Sequence, residues 1–161
     1  MVAIALRFLA GRYHATPWGR HANEGVPEWP PSPWRLLRAL VATWRRTLPG
    51  VPAERMAALL AALAQPPLLW LPRATPAHTR HYMPWFKKGP EDRTEVLDTF
   101  VAVDRAEPVV LAWPDAALDG EGRQLLADLL WRLPYLGRAE SWCQGELCPP
   151  PARFNCTPLP E

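Results

Sequence analysis

The sequence predicts an α+β domain of the ferredoxin-like (RRM-like) class. Three observations carry that expectation: short apolar runs that read as strands, amphipathic segments with helix start and stop signals between them, and their order. Read along the chain, the order is β, α, a helical insert, β, an extended hairpin, β, α, β, close to a split β-α-β repeat. The 161 residues suit one domain. Hydrophobic residues at 48% and charged residues at 21% exclude wholesale disorder and a coiled coil. The 21 prolines far exceed the average usage of about 5%, so long uninterrupted helices are excluded too.

Residues 2–9, VAIALRFL, form an apolar run expected to be a central, buried strand. A long loop rich in turn residues follows from Gly11 to Pro31; loops of that length inside a domain are commonly functional. Ser32 is placed to cap the next helix and Pro33 to occupy its first position. That helix runs to about Arg46, with Pro49 and Gly50 stopping it. A helical insert is expected over 52–64, closed by Pro66 and Pro67, and a short strand over 68–71. Extended arms over 78–86 and 94–103, around a turn at Lys88-Gly89-Pro90, predict a projecting hairpin. VVLAW (109–113) is a further strand, 121–133 a helix ended by Pro134, and 141–147 a last strand. Residues 1–148 are thus expected to form the domain, and the proline-rich 149–161 a linker or tail to a second domain.

Charge is unevenly distributed. Through Lys88 there are 12 Lys/Arg and three acids; from Gly89 onward there are 6 basic and 13 acidic residues. All four histidines, His14, His21, His78 and His81, fall in the basic half. This polarity predicts an anionic partner for one face and protein neighbours for the other. The first residues lack the charge pattern of a signal peptide, and the longest apolar stretch is broken by Gln65, Pro66 and Pro67. With three cysteines, one is left over in any disulfide scheme, so a cytoplasmic location is expected.

The first helix is the most informative element. At about 100° per residue, Leu36, Leu40, Trp44, Leu37, Leu48, Val41 and Trp34 fill one arc, which is expected to be apolar and inward. Arg35, Arg38, Arg45 and Arg46 fall on the other, and the helix carries no acid to pair with them. A phosphate-binding role follows for these arginines.

The segment from Gly11 to Arg46 interleaves Tyr13, Trp18, Trp29 and Trp34 with Arg12, Arg20, Arg35 and Arg38. Bases of a single strand stack on aromatic rings while guanidinium groups hold phosphates, so the mixture suits RNA. Trp29 and Trp34 are expected to pack the loop on the core, leaving Tyr13 and Trp18 accessible. His14, His21, Arg80, His81 and Tyr82 are further candidates for base contacts, and Lys87 and Lys88 for a cationic track at the hairpin tip.

GRYHATPWGRHANEG (11–25) followed by EWPPSPWRLLRALVATW (28–44) resembles the amino-terminal part of the fused RAMP subunit of type I-U (I-G) CRISPR effector complexes. HTRHYMP (78–84) and WRLPYLGRAESW (131–142) resemble the same family, in the same order. The resemblance implies a RAMP domain that caps the five-prime handle of the CRISPR RNA in a Cascade-like antiviral complex. Its partners would be the CRISPR RNA, the backbone and large subunits and, indirectly, target DNA, with no membrane. It also implies that repeat cleavage belongs to a fused second module rather than to these residues. The hairpin is similar to the thumb with which handle-capping subunits hook over RNA.

Two other classes compete. A metal-independent endoribonuclease would use His14, His21, His78 or His81 as general acid or base; a protein-interaction scaffold would use the proline-rich WPPSPW stretch or the acidic half. No metal or cofactor is expected: the cysteines are spaced C-x4-C-x7-C without a following histidine, and no P-loop or dinucleotide fingerprint occurs.

Overall fold

The first strand, β1 (Val2–Phe8), is buried except at Arg7, as its continuous apolar run requires. The structure, a computed structural model, describes residues 1–21, 24–84 and 93–159. β1 pairs antiparallel with β6 (Val109–Trp113) on one side and β7 (Cys143–Leu147) on the other, and β6 pairs with β3 (Leu68–Trp70). The four-stranded order is therefore β3-β6-β1-β7. Helix α1 (Pro33–Thr47) and the insert α2 (Ala53–Ala62) connect β1 towards β3; α3 (Gly120–Trp131) connects β6 to β7. The fold is α+β with antiparallel sheets, and this order is compatible with a ferredoxin-like arrangement.

The helices cover one face of that sheet. Ile4, Leu6 and Leu111 are buried there among Leu36 and Leu40 of α1 and Leu126, Leu129 and Leu130 of α3. Each such side chain contributes about 1.5–3 kcal/mol through burial. At Gly145 a Cβ would meet the Leu130 side chain at 3.0–3.2 Å, so glycine lets β7 approach α3 closely. Asp119 caps α3, accepting a hydrogen bond from the Gly122 N–H at 2.7 Å.

Two expectations for α1 need correction. Pro33 does open the helix, but the Ser32 side chain makes no capping bond; its backbone N–H is satisfied by the Glu28 carboxylate at 3.0 Å. The buried face is Leu36, Leu40, Thr43 and Trp44, with Trp34 left 59% exposed and Leu37 and Val41 half-buried. The apolar arc is wider than the roughly 100° stripe one contact covers, so its far edge opens between α1 and α2.

A second, three-stranded sheet has the order β2-β5-β4. After β1 the chain turns through Gly11, at φ 63°, into β2 (Arg12–Tyr13), which pairs with Ala102 and Val101 of β5 (Arg93–Val103). β5 and β4 (Ala74–Pro84) form the expected hairpin, in register from Ala74↔Val103 to Pro84↔Arg93. Among its described residues only the base is buried, at Phe100, Val101 and Val103; β4 is exposed or half-exposed throughout. Lys87 and Lys88, expected to extend a cationic track, lie outside the described residues.

The tail departs from a free linker. The Cys148 N–H bonds the Ala3 carbonyl beside β7, whereas Asn155 and Cys156 bond Leu69 and Leu71 of the opposite edge, at 2.8–3.1 Å. Residues 149–154 thus run from one edge of the sheet to the other, about 14 Å across three strand spacings. Ala3 and Ala112, paired on the face without helices, are buried along that route. No helix among the described residues is long and apolar enough to cross a membrane.

Candidate nucleic-acid interface

The long loop is held by one buried carboxylate. β2 directs Tyr13 into the core, where it is 0% exposed and lies 5.1 Å from the Phe8 ring and 6.0 Å from Trp29. The Tyr13 hydroxyl donates to Glu28 Oε1, which also accepts from Ser32 N at 3.0 Å and Arg35 Nε at 2.9 Å. Arg35 Nη2 completes a fork to Glu28 Oε2 at 3.0 Å and donates to the Thr16 carbonyl at 2.7 Å. Both ends of the loop are thereby tied to the first turn of α1. Burial pushes the Glu28 carboxyl up, but the bonds from Arg35, Tyr13 and Ser32 outweigh it and hold it below its ordinary value. Burial and the Glu28 contact both raise the Tyr13 phenol, and the Glu28 bond raises Arg35.

Above this knot lies a cleft of about 780 Å³. Glu28 and Arg35 form its floor; Trp18 and Arg20 come from the loop, Trp34 and Arg38 from α1, and Tyr135 and Gly137 from the segment after α3. Trp18 is 84% exposed. Arg38 makes no ion pair among the described residues; Arg20 pairs with Glu24 at 3.1 Å on the surface. An exposed pair of that kind is worth little, so a phosphate can replace Glu24 at small cost. One turn beyond the cleft, Arg46 is exposed and the Arg45 guanidinium lies 4.2 Å over the Trp44 ring. Aromatic faces beside unpaired guanidinium groups suit a single polynucleotide strand.

The sequence-predicted residues divide into three groups. Trp18, Arg20 and Arg38 meet in the cleft, and Arg45 and Arg46 extend its cationic side. Arg80, His81 and Tyr82 stand apart on the hairpin, where Arg80 pairs with Glu95 at 2.7 Å and His81 Nε2 lies 3.4 Å from Asp98. His21 is exposed at the loop's edge, its backbone N–H on Glu24 at 3.1 Å. Arg12 lies 4.2 Å over the Phe100 ring, away from the cleft residues.

The third group is corrected by burial. Tyr13 cannot stack on a base, because β2 pairing turns its ring inward; Trp34, expected inside, is the accessible ring instead. His14 is 5% exposed, with Nδ1 2.6 Å from Glu140 Oε1 and its backbone N–H donating to Ser141 Oγ at 2.8 Å. Ser141 is thus turned to the His14 backbone, so His14, Glu140 and Ser141 do not form a nucleophile–base relay. Arg35 lines the floor with its charge matched by Glu28 rather than offered to phosphate.

Glu28, Tyr135 and Gly137 were not among the predicted site residues. Glu28 was detectable as one of only three acids in the first 88 residues, seven positions before an arginine. Gly137 has φ 92°, and a Cβ there would strike the His14 carbonyl. That close approach, with Arg138 N donating to His14 O at 2.8 Å, seats the end wall of the cleft.

Among the described residues no three His, Cys, Asp or Glu side chains are placed to hold a metal, and the three cysteines are free thiols. No protein-family model matches the chain, and no curated protein matches it.

Proposed function

We propose that this domain binds single-stranded RNA along the cleft between the 14–32 loop and α1, and that the RNA is the five-prime handle of a CRISPR RNA. The observation that carries the reading is the convergence of Trp18, Trp34, Arg20 and Arg38 on one open cleft. The resemblance to the handle-capping part of a fused RAMP subunit supplies the identity of the strand. In that reading Trp18 and Trp34 stack on splayed bases, and Arg20, Arg38, Arg45 and Arg46 hold successive phosphates. The acidic carboxy-terminal half faces neighbouring subunits of a cytoplasmic Cascade-like complex. Binding rather than cleavage is the role in this reading: His14 is buried on Glu140, and no described histidine lines the cleft.

Fluorescence anisotropy with a labelled handle oligoribonucleotide, against a scrambled oligonucleotide of equal length, tests this. Trp18→Ala removes one stacking surface worth about 1–3 kcal/mol, a loss of roughly 5- to 150-fold in affinity. As an exposed substitution it leaves stability within about 0.5 kcal/mol. Arg38→Glu lowers the salt slope by about 0.7 for each phosphate that Arg38 holds. Full affinity in both variants refutes the cleft as the RNA site, and equal affinity for the scrambled strand refutes the handle.

A further inference from the structure

α1 presents a second unpartnered surface on the other side of the Trp34–Arg38–Ala42 ridge. Between α1 and α2 lies a groove of about 640 Å³, lined by Trp34, Leu37, Val41, Leu60, Ala61 and Ala64, with Arg38 at its lip. Apart from the Arg38 guanidinium and the indole N–H of Trp34, its side chains carry no hydrogen-bonding group. A nucleobase seated there would leave most of its polar edge without a protein partner, which disfavours it. Aliphatic side chains suffer no such loss. The exposed positions lining the groove opposite α1 are Ala61 of α2 and Ala64 just after it, so a backbone can come close.

The charge around the groove sets the chemistry of its occupant. On α1, Trp34, Arg38, Val41 and Arg45 follow the i, i+4, i+7, i+11 spacing of a single face. Arg38 therefore stands at the lip of the groove and Arg45 about 10.5 Å further along the same face of α1, past the groove's lining, with its guanidinium over the Trp44 ring. Neither has an acidic partner among the described residues, and α1 itself contains no acid. An occupant that satisfies the surface must be apolar between two negative charges spaced alike.

We infer that the α1–α2 groove docks an amphipathic helix of a partner protein, with apolar anchors flanked by two acidic residues seven positions apart. The anchors enter between Leu37, Val41 and Leu60, and the acids meet Arg38 and Arg45. This is helix-in-groove recognition, with charge setting register and orientation. It does not depend on the RNA reading, although Trp34 and Arg38 border both surfaces and Arg45 is shared between the two readings.

The test uses the purified chain and a fluorescein-labelled, alanine-based helical peptide with Leu at i+3 and i+4 and Glu at i and i+7. A second peptide carries Lys in place of both Glu. Anisotropy is expected to give saturable binding of the Glu peptide, weakened about tenfold or more in the Lys peptide. Ala61→Gln, a neutral change at an exposed helical position, should weaken the Glu peptide by a similar factor while thermal unfolding stays unchanged. Arg45→Gln should weaken the Glu peptide and not the Lys peptide. The inference is overturned by no binding of the Glu peptide at millimolar concentration, by equal binding of both peptides, or by indifference to Ala61→Gln. It is likewise overturned if Ala61→Gln weakens oligouridylate binding, which makes a nucleotide the occupant. Dissociation of a sedimenting dimer by Ala61→Gln would assign the groove to a second copy of the chain and overturn it as well.

Discussion

Replacing Glu28 by Gln isolates the carboxylate that ties the loop to α1. The side chain keeps its size and one carbonyl oxygen, so the bonds from the Tyr13 hydroxyl and Ser32 N–H can be re-formed in part. The Arg35 fork, at 2.9 and 3.0 Å, is broken, because the new amide nitrogen opposes a guanidinium donor. Bonds to charged groups contribute about 1.5–3 kcal/mol each. The Arg35 side chain is 31% exposed and can recover water, which offsets part of the loss. The net cost is about 2–3 kcal/mol. With a urea m-value of about 2 kcal/mol/M, the midpoint falls by about 1–1.5 M with the slope unchanged. Tryptophan fluorescence reports the transition. A loss under about 0.5 kcal/mol would mean that the knot does not stabilise the fold, and the account of the loop would be refuted.

The same variant carries a pH signature. The Glu28 carboxyl is held below its ordinary value of 4.5 when folded, so the unfolded chain binds its proton more readily. Its contribution is complete above about 4.5 and is lost as pH falls through the folded value. Glu28→Gln therefore flattens the acid limb of the stability profile and leaves the neutral limb parallel to the parent.

Gly137→Ala places a methyl group against the His14 carbonyl at φ 92°, and the expected loss is about 3 kcal/mol or more, read as a fall of roughly 6 °C or more in Tm. Burial pushes the Cys143 thiol up to about 12, so iodoacetamide should modify Cys148 and Cys156 in the native chain and Cys143 only after unfolding, by peptide mass spectrometry. Ending the chain after Cys148 removes five hydrogen bonds of Asn155 and Cys156, three to Leu69 of β3 and two to Leu71 just after it, a loss of about 2–4 kcal/mol, with amide exchange at Leu69 and Leu71 rising first.

Elements bounded by strong local signals were legible. VVLAW is a strand over the expected 109–113 because Pro108 and Pro114 punctuate an apolar run, and α1 opens at Pro33 as its fixed φ favours. The misreadings come from contacts distant in sequence. Tyr13 sits in a stretch that reads as loop; a two-residue pairing with β5, nearly 90 positions away, turns it inward. A helix wheel ranks residues by angle but does not say how wide a stripe the core will cover; Trp34 sits at the far edge of the apolar arc, beyond the face buried at Leu36, Leu40 and Trp44, and its ring is left in solvent. The tail reads as linker by composition, yet Asn155 has the donor and acceptor that pair with the Leu71 backbone.

Arg35 holds the most instructive of these reversals. On the wheel it belongs with Arg38, Arg45 and Arg46, and by angle alone its charge is available to phosphate. The turn through Trp29, Pro30 and Pro31 brings Glu28 back beneath it, so the guanidinium is committed to building the cleft. Attraction for an anionic strand then falls to Arg20, Arg38, Arg45 and Arg46, whose acid contacts are weak or missing among the described residues. The two roles separate in Glu28→Gln. If Arg35 is a phosphate ligand restrained by Glu28, removing the carboxylate charge strengthens RNA binding even as the fold weakens. If it is the keystone of the loop, affinity falls as the loop loses order, and the salt slope stays near that of the parent. The bidentate geometry, the Thr16 carbonyl on the remaining donor and the burial of Glu28 together favour the second outcome.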